Sequence, residues 1–395
     1  MRRAPVGDGS SKLRIGFLFN HDQVHQIAHS LPIALALARN PAVEVVVATT
    51  NARIEAEVDR LTSRPGVPPL TRVKLRPRRL SSRLASLLLD AVVPASKIAI
   101  YRDNLDFFRS LDALVVAEKT STLLKTRYGL DLPLIHTRHG AGDRAIGFNR
   151  KSALFDYILA SGPGIRERLV RDVGVPQDRI AVVGYAKFDL IDGDTPKLPM
   201  QENGKPTVLY NPHVAPHLSS WYRYGREVLE FFWRNQDYNL IFAPHVMLFE
   251  RPFVVTIDRL RIARHGTIDR KYFDAPNIHI DLSSPALSDM TYTRAADIYL
   301  GDASSQVYEF LRTPKPCLFL DAHDTDYVDN RDFAHWRLGD VISDTKALGR
   351  ALDAAVARQS IYAPVQQQMV AERFDATSER SSDRAAAAIL KWLGE

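Results

Sequence analysis

The chain has 395 residues, of which 45% are hydrophobic and 25% charged, and its formal net charge is +6. This length and composition predict a globular protein of about two domains. The single cysteine, Cys317, excludes a disulfide framework and favours a reducing compartment. No apolar run approaches the roughly 18 residues that a membrane-spanning helix needs, and the polar N-terminal segment argues against a secretory signal. We therefore expect a cytoplasmic protein, or one bound peripherally to the inner face of the cell membrane.

The first half of the chain alternates apolar strand patterns with helical ones. A helix is expected over residues 24–38, between the first two strands. The predicted strands cover residues 13–19, 43–48, 113–116, 133–135, 157–160 and 180–183. This alternation is typical of a parallel, doubly wound sheet.

A basic segment lies within this half, from Arg72 to Leu88. Its leucines from Leu80 onward recur at helical spacing, with serine and arginine on the other face. Such a segment can lie in an anionic lipid interface, but the pattern is also that of a surface helix packed on its own sheet, which we favour. The basic residues are not interleaved with aromatic ones, so no nucleic-acid partner is expected.

The segment 192–206 separates the two halves, because it is rich in turn-forming residues and has no periodicity. We interpret it as a linker between an N-terminal Rossmann-like domain, 1–191, and a C-terminal one, 207–375, with a last helix in 376–395 packing near the domain interface. The second strand series is predicted at residues 207–210, 240–243, 278–280, 298–300 and 317–320. The sequence thus predicts an α/β protein of two doubly wound domains that face a central cleft.

Small and polar residues follow the predicted strand at 298–300. Ser304 and Ser305 would open a helix, whose free amides and positive dipole end favour an anion. The same pattern describes a plain N-cap, in which Asp302 or Ser304 satisfies its own helix. The sequence pattern alone therefore fits both a phosphate site and a simple helix start.

Three histidines follow other predicted strands. His139 precedes a loop of small residues that ends with Arg144, which could pair with phosphate oxygens. His245 and His213 lie at strand ends in the second half of the chain. A histidine can act as a general base near neutral pH, although a single loop histidine is more often structural.

His21, His25 and His29 recur every four residues, so on a helix they would form one stripe. Zinc chelation, contact with an acceptor or phosphate, and ordinary packing are the three interpretations, of which packing is favoured and metal is not expected.

A second cluster, Asp321, His323, Asp324 and Asp326, is interpreted as turn and cap residues rather than as metal ligands.

The order of these motifs resembles that of the CDP-glycerol glycerophosphotransferase family, the teichoic-acid primases and polymerases. The similarity is collinear over roughly residues 110–345. The motifs that carry it are His139-Gly140, Gly184-Tyr185 through Asp189, Tyr210-Asn211-Pro212, Pro244-His245, Asp302-Ala303-Ser304-Ser305 with Glu309, and Phe319-Leu320-Asp321 through Arg331.

The resemblance implies a GT-B fold and a CDP-activated donor bound mainly by the C-terminal domain, with no separate cofactor. It implies transfer of a polyol phosphate to a cell-surface glycan or lipid-linked acceptor at the membrane surface, with release of CMP. His139 would be the base, His245 would stabilise the donor phosphate, and Ser304 and Ser305 would hold the pyrophosphate. The other donor-binding candidates are Gly140, Arg144, Gly184, Asp189, Asn211, His213, Asp302, Gln306 and Glu309, and the acceptor-binding candidates are His21 and His25.

The sequence departs from the family at three of these motifs. The usual threonine, proline and lysine after His-Gly are replaced by the loop 141–144, the middle of the motif 184–189 differs, and Ala303 replaces a tyrosine. A ribitol donor or a nucleotide sugar would therefore be compatible, which makes a GT-B glycosyltransferase of surface polysaccharide synthesis the alternative. A non-catalytic nucleotide-binding scaffold is the second alternative. A UDP-sugar 2-epimerase is disfavoured, because its acidic catalytic residues are not evident in the matching loops.

Overall fold

The computed structural model describes residues 12–20, 24–79, 95–138, 148–191, 193–256 and 261–395. The chain divides into two compact units. The first unit contains Met1–Gly140, Phe148–Leu190 and Arg373–Glu395, and the second contains Ile191–Glu372. The C-terminal segment thus returns to the unit in which the chain began.

The first unit is built on a parallel sheet of seven strands in the order β3-β2-β1-β4-β5-β6-β7. Its strands are β1 (Leu13–Phe19), β2 (Val43–Thr49), β3 (Thr71–Lys74), β4 (Ala113–Val116), β5 (Leu134–His136), β6 (Tyr157–Ala160) and β7 (Ile180–Val182). Its helices before the linker are α1 (Leu31–Leu37), α2 (Ala52–Thr62), α3 (Ala95–Asp103), α4 (Leu105–Arg109), α5 (Leu123–Thr126) and α6 (Pro163–Arg168).

Both faces of this sheet are covered. Phe17 packs in a core with α1 and α2, while the next residue, Leu18, packs in a second core on the other face. Successive side chains of a strand point to opposite faces, so strands buried on both sides need the continuous apolar runs that the sequence shows.

The helix predicted over residues 24–38 is divided. Val24–His29 is a 3₁₀ helix, and α1 begins at Leu31, with Pro32 in its first turn. Proline has no backbone N–H and is tolerated in the first turn of a helix but not in its interior. The proline therefore explains why α1 begins where it does.

Part of the basic segment forms the edge strand β3. Arg72 pairs with Asp59, and Lys74 pairs with Glu55 at 2.6 Å, both on α2. These charges are thus engaged within the unit. The predicted amphipathic stretch 80–88 lies outside the described residues.

The second unit repeats the same order with its own strands. Its parallel sheet has six strands in the order β12-β9-β8-β13-β14-β15, and a separate antiparallel pair is formed by β10 and β11. The strands are β8 (Thr207–Asn211), β9 (Asn239–Phe242), β10 (Phe253–Thr256), β11 (Arg261–Arg264), β12 (Ile278–Ile280), β13 (Ile298–Gly301), β14 (Cys317–Leu320) and β15 (Asp340–Ile342). The helices are α7 (Trp221–Arg234), α8 (Arg270–Phe273), α9 (Thr291–Ala295), α10 (Gln306–Phe310), α11 (Leu348–Ala357) and α12 (Gln359–Phe374).

When its strands are counted along the chain, the second sheet has the 3-2-1-4-5-6 order of the Rossmann fold, and the first sheet has the same order with a seventh strand, β7, at its edge. The predicted α/β class with two doubly wound domains is therefore confirmed. Cys317 is buried in β14, as expected of a core residue. Among the described residues, no helix is both long and apolar enough to cross a membrane.

The last helix, α13 (Ser381–Leu393), packs on the first unit. Ala385 and Ile389 belong to the core that contains α1, and Trp392 stacks on Tyr157 with ring centroids 5.0 Å apart. Gly184, at φ +83°, passes close to this segment: a Cβ there would collide with Ser381 Oγ and lie 3.3 Å from the carbonyl oxygen of Phe374. The glycine is thus required by both backbone conformation and space.

We expect Gly184→Ala to lower the free energy of unfolding by about 2–4 kcal/mol, since it adds a steric collision to the cost of a left-handed alanine. Gly174→Ala is the matched control, because Gly174 also has a positive φ, +77°, but open space around its Cβ position. It should cost only about 1 kcal/mol. Urea unfolding measures both, and equal losses would show that the contact with the C-terminal segment contributes nothing.

Candidate functional site

The ends of β8 and β13 meet at the centre of the second unit's sheet. The two strands pair in parallel, with Gly301 opposite Asn211. The sheet continues in one direction from β8 and in the other from β13. In doubly wound sheets, ligands bind at the carboxyl ends of the strands where the order reverses in this way. The candidate residues that follow β8, β9 and β13 therefore lie where a ligand crevice is expected.

Asp302, the first residue after β13, is 1% exposed. Its Oδ1 accepts hydrogen bonds from the amides of His213 at 2.8 Å and Ala303 at 2.6 Å. Its Oδ2 accepts from the amide of Ser220 at 2.6 Å and from the Ser220 hydroxyl at 2.8 Å. One carboxylate thereby fixes both ends of the segment 213–220, which connects β8 to α7.

The backbone of Asp302 is held as well. Its carbonyl oxygen accepts from His335 Nε2 at 2.8 Å and from Trp336 Nε1 at 2.9 Å. Both rings belong to the 3₁₀ segment Arg331–Leu338 and are buried. The end of β13 is thus fastened to two other parts of the second unit.

Burial raises the pKa of Asp302 to about 6, and hydrogen bonds from Ser220, His213 and Ala303 act in the opposite direction. The carboxyl group is therefore mostly ionised at neutral pH and above. Charge-assisted hydrogen bonds are the strong ones, and a buried charge needs them. Both carboxylate oxygens of Asp302 accept hydrogen bonds from the protein itself, mainly from the loop after β8. We therefore conclude that Asp302 positions this loop rather than contacting a ligand itself.

Asn211 and Ser304 join three strand ends. The Ser304 hydroxyl donates to Asn211 Oδ1 at 2.6 Å, and Asn211 Nδ2 donates to the carbonyl oxygen of Ala243 at 2.5 Å. Ala243 follows β9, so β13, β8 and β9 are connected by two hydrogen bonds. Both side chains are buried. These two side chains therefore hold the three strand ends together directly below the loops.

The residues that open α10 differ in their surroundings. Ser305 precedes the helix and has an exposed side chain, whereas Ser304 Oγ accepts from the amide of Gln306 at 3.4 Å. Gln306 Nε2 donates to the carbonyl oxygen of Leu287 at 2.8 Å, and Glu309 is half-buried one turn further on. Of the two serines, Ser305 is the one whose side chain reaches solvent at the helix start.

His213 and His245 form a pair, with ring centroids 5.7 Å apart. His213 Nδ1 accepts from the amide of Ala215 at 2.9 Å, and His245 Nδ1 accepts from the amide of Met247 at 3.3 Å. An Nδ1 that accepts carries no proton, so in both neutral rings the proton is assigned to Nε2. The amide of His245 donates to the carbonyl oxygen of Pro212 at 3.0 Å, which ties the two loops together.

This tautomer determines what the two rings can do. Each ring carries its proton on Nε2, and a donor placed at an oxyanion stabilises negative charge that develops there. Neither ring is arranged as a base at Nδ1, because the backbone already occupies that nitrogen. The pair is therefore suited to hold phosphate oxygens.

Gly184 and Asp189 belong to the first unit. Asp189 Oδ2 accepts from the amide of Ser382 at 2.6 Å, and its carbonyl oxygen accepts from Arg380 Nη2 at 2.9 Å. The carboxylate therefore satisfies an amide in the first turn of α13. In the structure, this motif holds the C-terminal helix.

The proposed histidine stripe does not form within the described residues. His25 and His29 lie in the 3₁₀ helix, which has about three residues per turn, so a spacing of four does not align them. His29 is buried beside Tyr185, with ring centroids 5.3 Å apart. His21, His139, Gly140 and Arg144 lie outside the described residues.

Asp321 satisfies its own turn. Its oxygens accept from the amides of His323 at 3.0 Å and Thr325 at 2.8 Å. Among the described residues, no group of three or more histidine, cysteine, aspartate or glutamate side chains is placed to hold a metal ion.

Three residues of this region carry no candidate role in the sequence: Ser220, His335 and Trp336. Ser220 precedes α7, and a serine at a helix start is a recognisable cap signal. The other two lie in the 3₁₀ segment Arg331–Leu338, and only the fold brings them to Asp302. A sequence signal was thus available for Ser220 alone.

We expect Asp302→Asn to lower the free energy of unfolding by about 2–3 kcal/mol, because an amide nitrogen would then face amide donors that have lost their acceptor. Asp324→Asn is the matched control, since that side chain is 81% exposed, and it should change stability by less than about 0.5 kcal/mol. Urea unfolding at pH 8, where Asp302 is ionised, measures both. Equal stability of the two variants would contradict the role given to the carboxylate.

Solved structures similar to this chain include a putative UDP-N-acetylglucosamine 2-epimerase from Listeria monocytogenes, with 13% identity, a TM-score of 0.61 and 97% of each chain covered. The wall teichoic acid polymerase TagF is similar with 14% identity and a TM-score of 0.60, over 96% of this chain and 88% of that one. A TagF variant solved with CDPG has a TM-score of 0.59 at 15% identity, with the same coverage. The lipopolysaccharide outer core galactosyltransferase WaaB is similar at 12% identity and a TM-score of 0.50, over 96% of this chain and 100% of that one.

Comparison by sequence gives no such likeness: no protein-family model and no curated protein matches the chain. The structural similarity extends over nearly the whole chain and agrees with the two parallel sheets described above. The chain therefore has the GT-B fold.

Proposed function

We propose that the protein is a GT-B transferase that moves a polyol phosphate from a CDP-activated donor to a cell-surface glycan or lipid-linked acceptor and releases CMP. The observation that carries the proposal is the pair of Nε2–H donors of His213 and His245 at the carboxyl ends of β8 and β9. Ser305, with its exposed side chain at the start of α10, would add a hydroxyl donor.

The reaction is a phosphoryl transfer. The acceptor hydroxyl attacks the phosphorus that bears the polyol, the bond from that phosphorus to the CMP oxygen breaks, and CMP leaves with the electron pair. Such transfers are catalysed by positioning and by stabilisation of charge on the phosphate oxygens. The two imidazoles would donate to those oxygens, and the resemblance gives the hydroxyl proton to His139.

The choice of a polyol phosphate rests on the resemblance, with which the fold is compatible. The motifs of the CDP-glycerol glycerophosphotransferase family occur here in the same order, and TagF, solved with CDPG, has the same fold. Asn211, His245, Asp302 and Ser304, which come from three of those motifs, cluster in the second unit together with His213, the residue that follows Pro212. Membrane attachment and the acceptor follow from the resemblance alone and belong to the same proposal.

Glycosyl transfer is the second candidate. The galactosyltransferase WaaB has the same fold. In that reaction the acceptor attacks the sugar carbon, and the whole nucleoside diphosphate leaves. The two candidates thus differ in the bond that breaks and in the nucleotide that is released.

We expect cytidine nucleotides to stabilise the protein selectively, because the proposed donor carries cytidine. Purified protein is screened by thermal shift and calorimetry against CMP, CDP, UDP, GDP, ADP, CDP-glycerol and CDP-ribitol. The nucleotide product of turnover, with acceptor-containing membranes, is then identified by chromatography. CMP as the product agrees with phosphoryl transfer, whereas selective binding of UDP and release of a nucleoside diphosphate would replace it by glycosyl transfer.

We expect His245→Ala and His213→Ala each to reduce turnover by roughly 100-fold, since each removes a donor to the transferring phosphate. His139→Ala should cause a similar loss while CMP binding is kept, because a general base contributes roughly 100-fold or more to rate without binding the nucleotide. The histidine control is His265→Gln, because the ring nitrogens of His265 lie against the carbonyl oxygens of Gly266, at 2.6 Å, and Arg251, at 2.9 Å.

Steady-state release of CMP measures all four variants, with circular dichroism to verify folding. Full activity in both His245→Ala and His139→Ala would overturn the mechanism. Nucleotide binding without turnover in the unaltered protein, indifferent to these changes, would indicate a scaffold instead of an enzyme.

A further inference from the structure

One face of the antiparallel pair β10–β11 carries large apolar side chains that reach solvent. Phe253 on β10 is 46% exposed, and Ile262 on β11 is 72% exposed. Phe253 lies directly opposite Arg264, and Ile262 is two residues before Arg264 on the same strand. Because alternate residues of a strand point to one face, these three side chains share a face, on which Phe253 and Ile262 are diagonal neighbours. We refer to these three residues as the β10–β11 face.

The opposite face of the strand pair is anchored in the second unit. Val254, the next residue after Phe253, is buried in the same core as Trp221. Trp221 Nε1 also donates to the carbonyl oxygen of His265, directly after β11, at 2.8 Å. Single apolar side chains on a surface need no explanation, but neighbouring ones on an anchored element mark a surface that interacts with something.

The charge of this segment indicates what that partner is. The guanidinium carbon of Arg264 lies 5.6 Å from the centroid of the Phe253 ring, so a cation accompanies the apolar side chains. Residues 250–265 contain four arginines and two carboxylates, which leaves an excess of two positive charges. Apolar side chains beside basic ones are typical of surfaces that bind anionic lipid, where the apolar groups enter the headgroup boundary.

The small size of the β10–β11 face also favours a lipid surface over a second protein. A stable protein interface uses roughly 20–30 residues of each partner, whereas this face consists of three side chains. Binding to lipid needs only enough apolar area to enter the interface, together with attraction between charges.

The strand pair lies at the edge of the sheet that carries the candidate site. It follows β9, at whose carboxyl end His245 lies, and its own end is bonded to Trp221, the first residue of α7. Ser220, the residue before Trp221, donates to Asp302. A surface bound by the β10–β11 face would therefore adjoin the edge at which the second unit's ligand crevice is expected.

We propose that the β10–β11 face docks the second unit on an anionic lipid surface. Phe253 and Ile262 enter the headgroup boundary, and Arg264 meets the lipid phosphates. The inference rests on the proposed function in one respect: it takes the acceptor to be lipid-linked, so that the docked surface brings it to the edge of the sheet where the donor binds. The docking itself is measured without turnover.

The test is co-sedimentation of the full chain with vesicles of phosphatidylcholine alone and of phosphatidylcholine mixed with an equal amount of phosphatidylglycerol. The protein should bind the mixed vesicles, and added salt should weaken this binding because it screens the arginine charges. Phe253→Ser and Ile262→Ser should each weaken binding roughly tenfold, since each removes apolar area that the lipid buries. Arg264→Gln should weaken it about fivefold. Absence of binding by the unaltered protein would overturn the inference.

The second unit offers a matched control for each of these changes. Ile361→Ser alters an isoleucine of α12 that is 69% exposed, and Phe273→Ser alters a phenylalanine of α8 that is 48% exposed. Arg270→Gln alters an arginine whose side chain is 91% exposed. These three variants should bind the mixed vesicles as the unaltered protein does, and thermal melting verifies that all six are folded. Equal losses in the test variants and their controls would overturn the assignment to the β10–β11 face.

Entry of the β10–β11 face into lipid can be measured at a single label. The chain has one cysteine, Cys317, which is buried, so a thiol-reactive fluorophore that senses polarity labels Ile262→Cys selectively. Its emission should shift to the blue when mixed vesicles are added, because the label passes from water into the headgroup boundary. The same label on Ile361→Cys should show no shift. No shift at residue 262, or equal shifts at both positions, would contradict insertion of this face.

Two further results separate this inference from its alternatives. Self-association of the unaltered protein that Ile262→Ser abolishes, measured by analytical ultracentrifugation, would give the face to a second copy of the chain and overturn the lipid assignment. The nucleotide screen tests the proposed function independently. Vesicle binding that depends on Ile262, without binding of any nucleotide, would reject the transferase and keep the docking surface, whereas cytidine nucleotide binding without vesicle binding would reject the docking surface alone.

Discussion

The buried carboxylate of Asp302 is the group on which the arrangement of the second unit's site depends. The carboxylate accepts hydrogen bonds from the amides of His213 and Ser220. The backbone carbonyl oxygen of Asp302 accepts hydrogen bonds from the rings of His335 and Trp336. No neutral side chain of this size offers two oxygens that each accept two hydrogen bonds. The loop that carries His213 is therefore fixed by a charge, and the cost of burying that charge is offset by its four donors.

The strands that are buried on both faces of a sheet were predictable from the sequence. Strands such as β1 and β8 are continuous apolar runs because side chains on both faces must pack. β15 has three half-buried residues, too few to show a period, and β10 and β11 belong to an inserted pair outside the main sheet. These three strands were not predicted for that reason, and neither was β3, an edge strand whose residues are mostly exposed. The prediction of one continuous helix over 24–38 was wrong, because hydrophobic periodicity does not show that Pro32 requires a helix to begin near it.

The sequence placed the candidate residues at strand ends, but it did not predict the contacts that these residues make. Polar residues after β8, β9 and β13 stand out against apolar strands, so Asn211, His245 and Ser304 could be identified. The sequence does not distinguish a residue that binds a ligand from one that holds the backbone. Asp189 holds the C-terminal helix across 193 residues of sequence, and Asp302 holds Ser220 across 82. Contacts between residues so far apart in the sequence are produced by the topology of the fold, so no local sequence pattern predicts them.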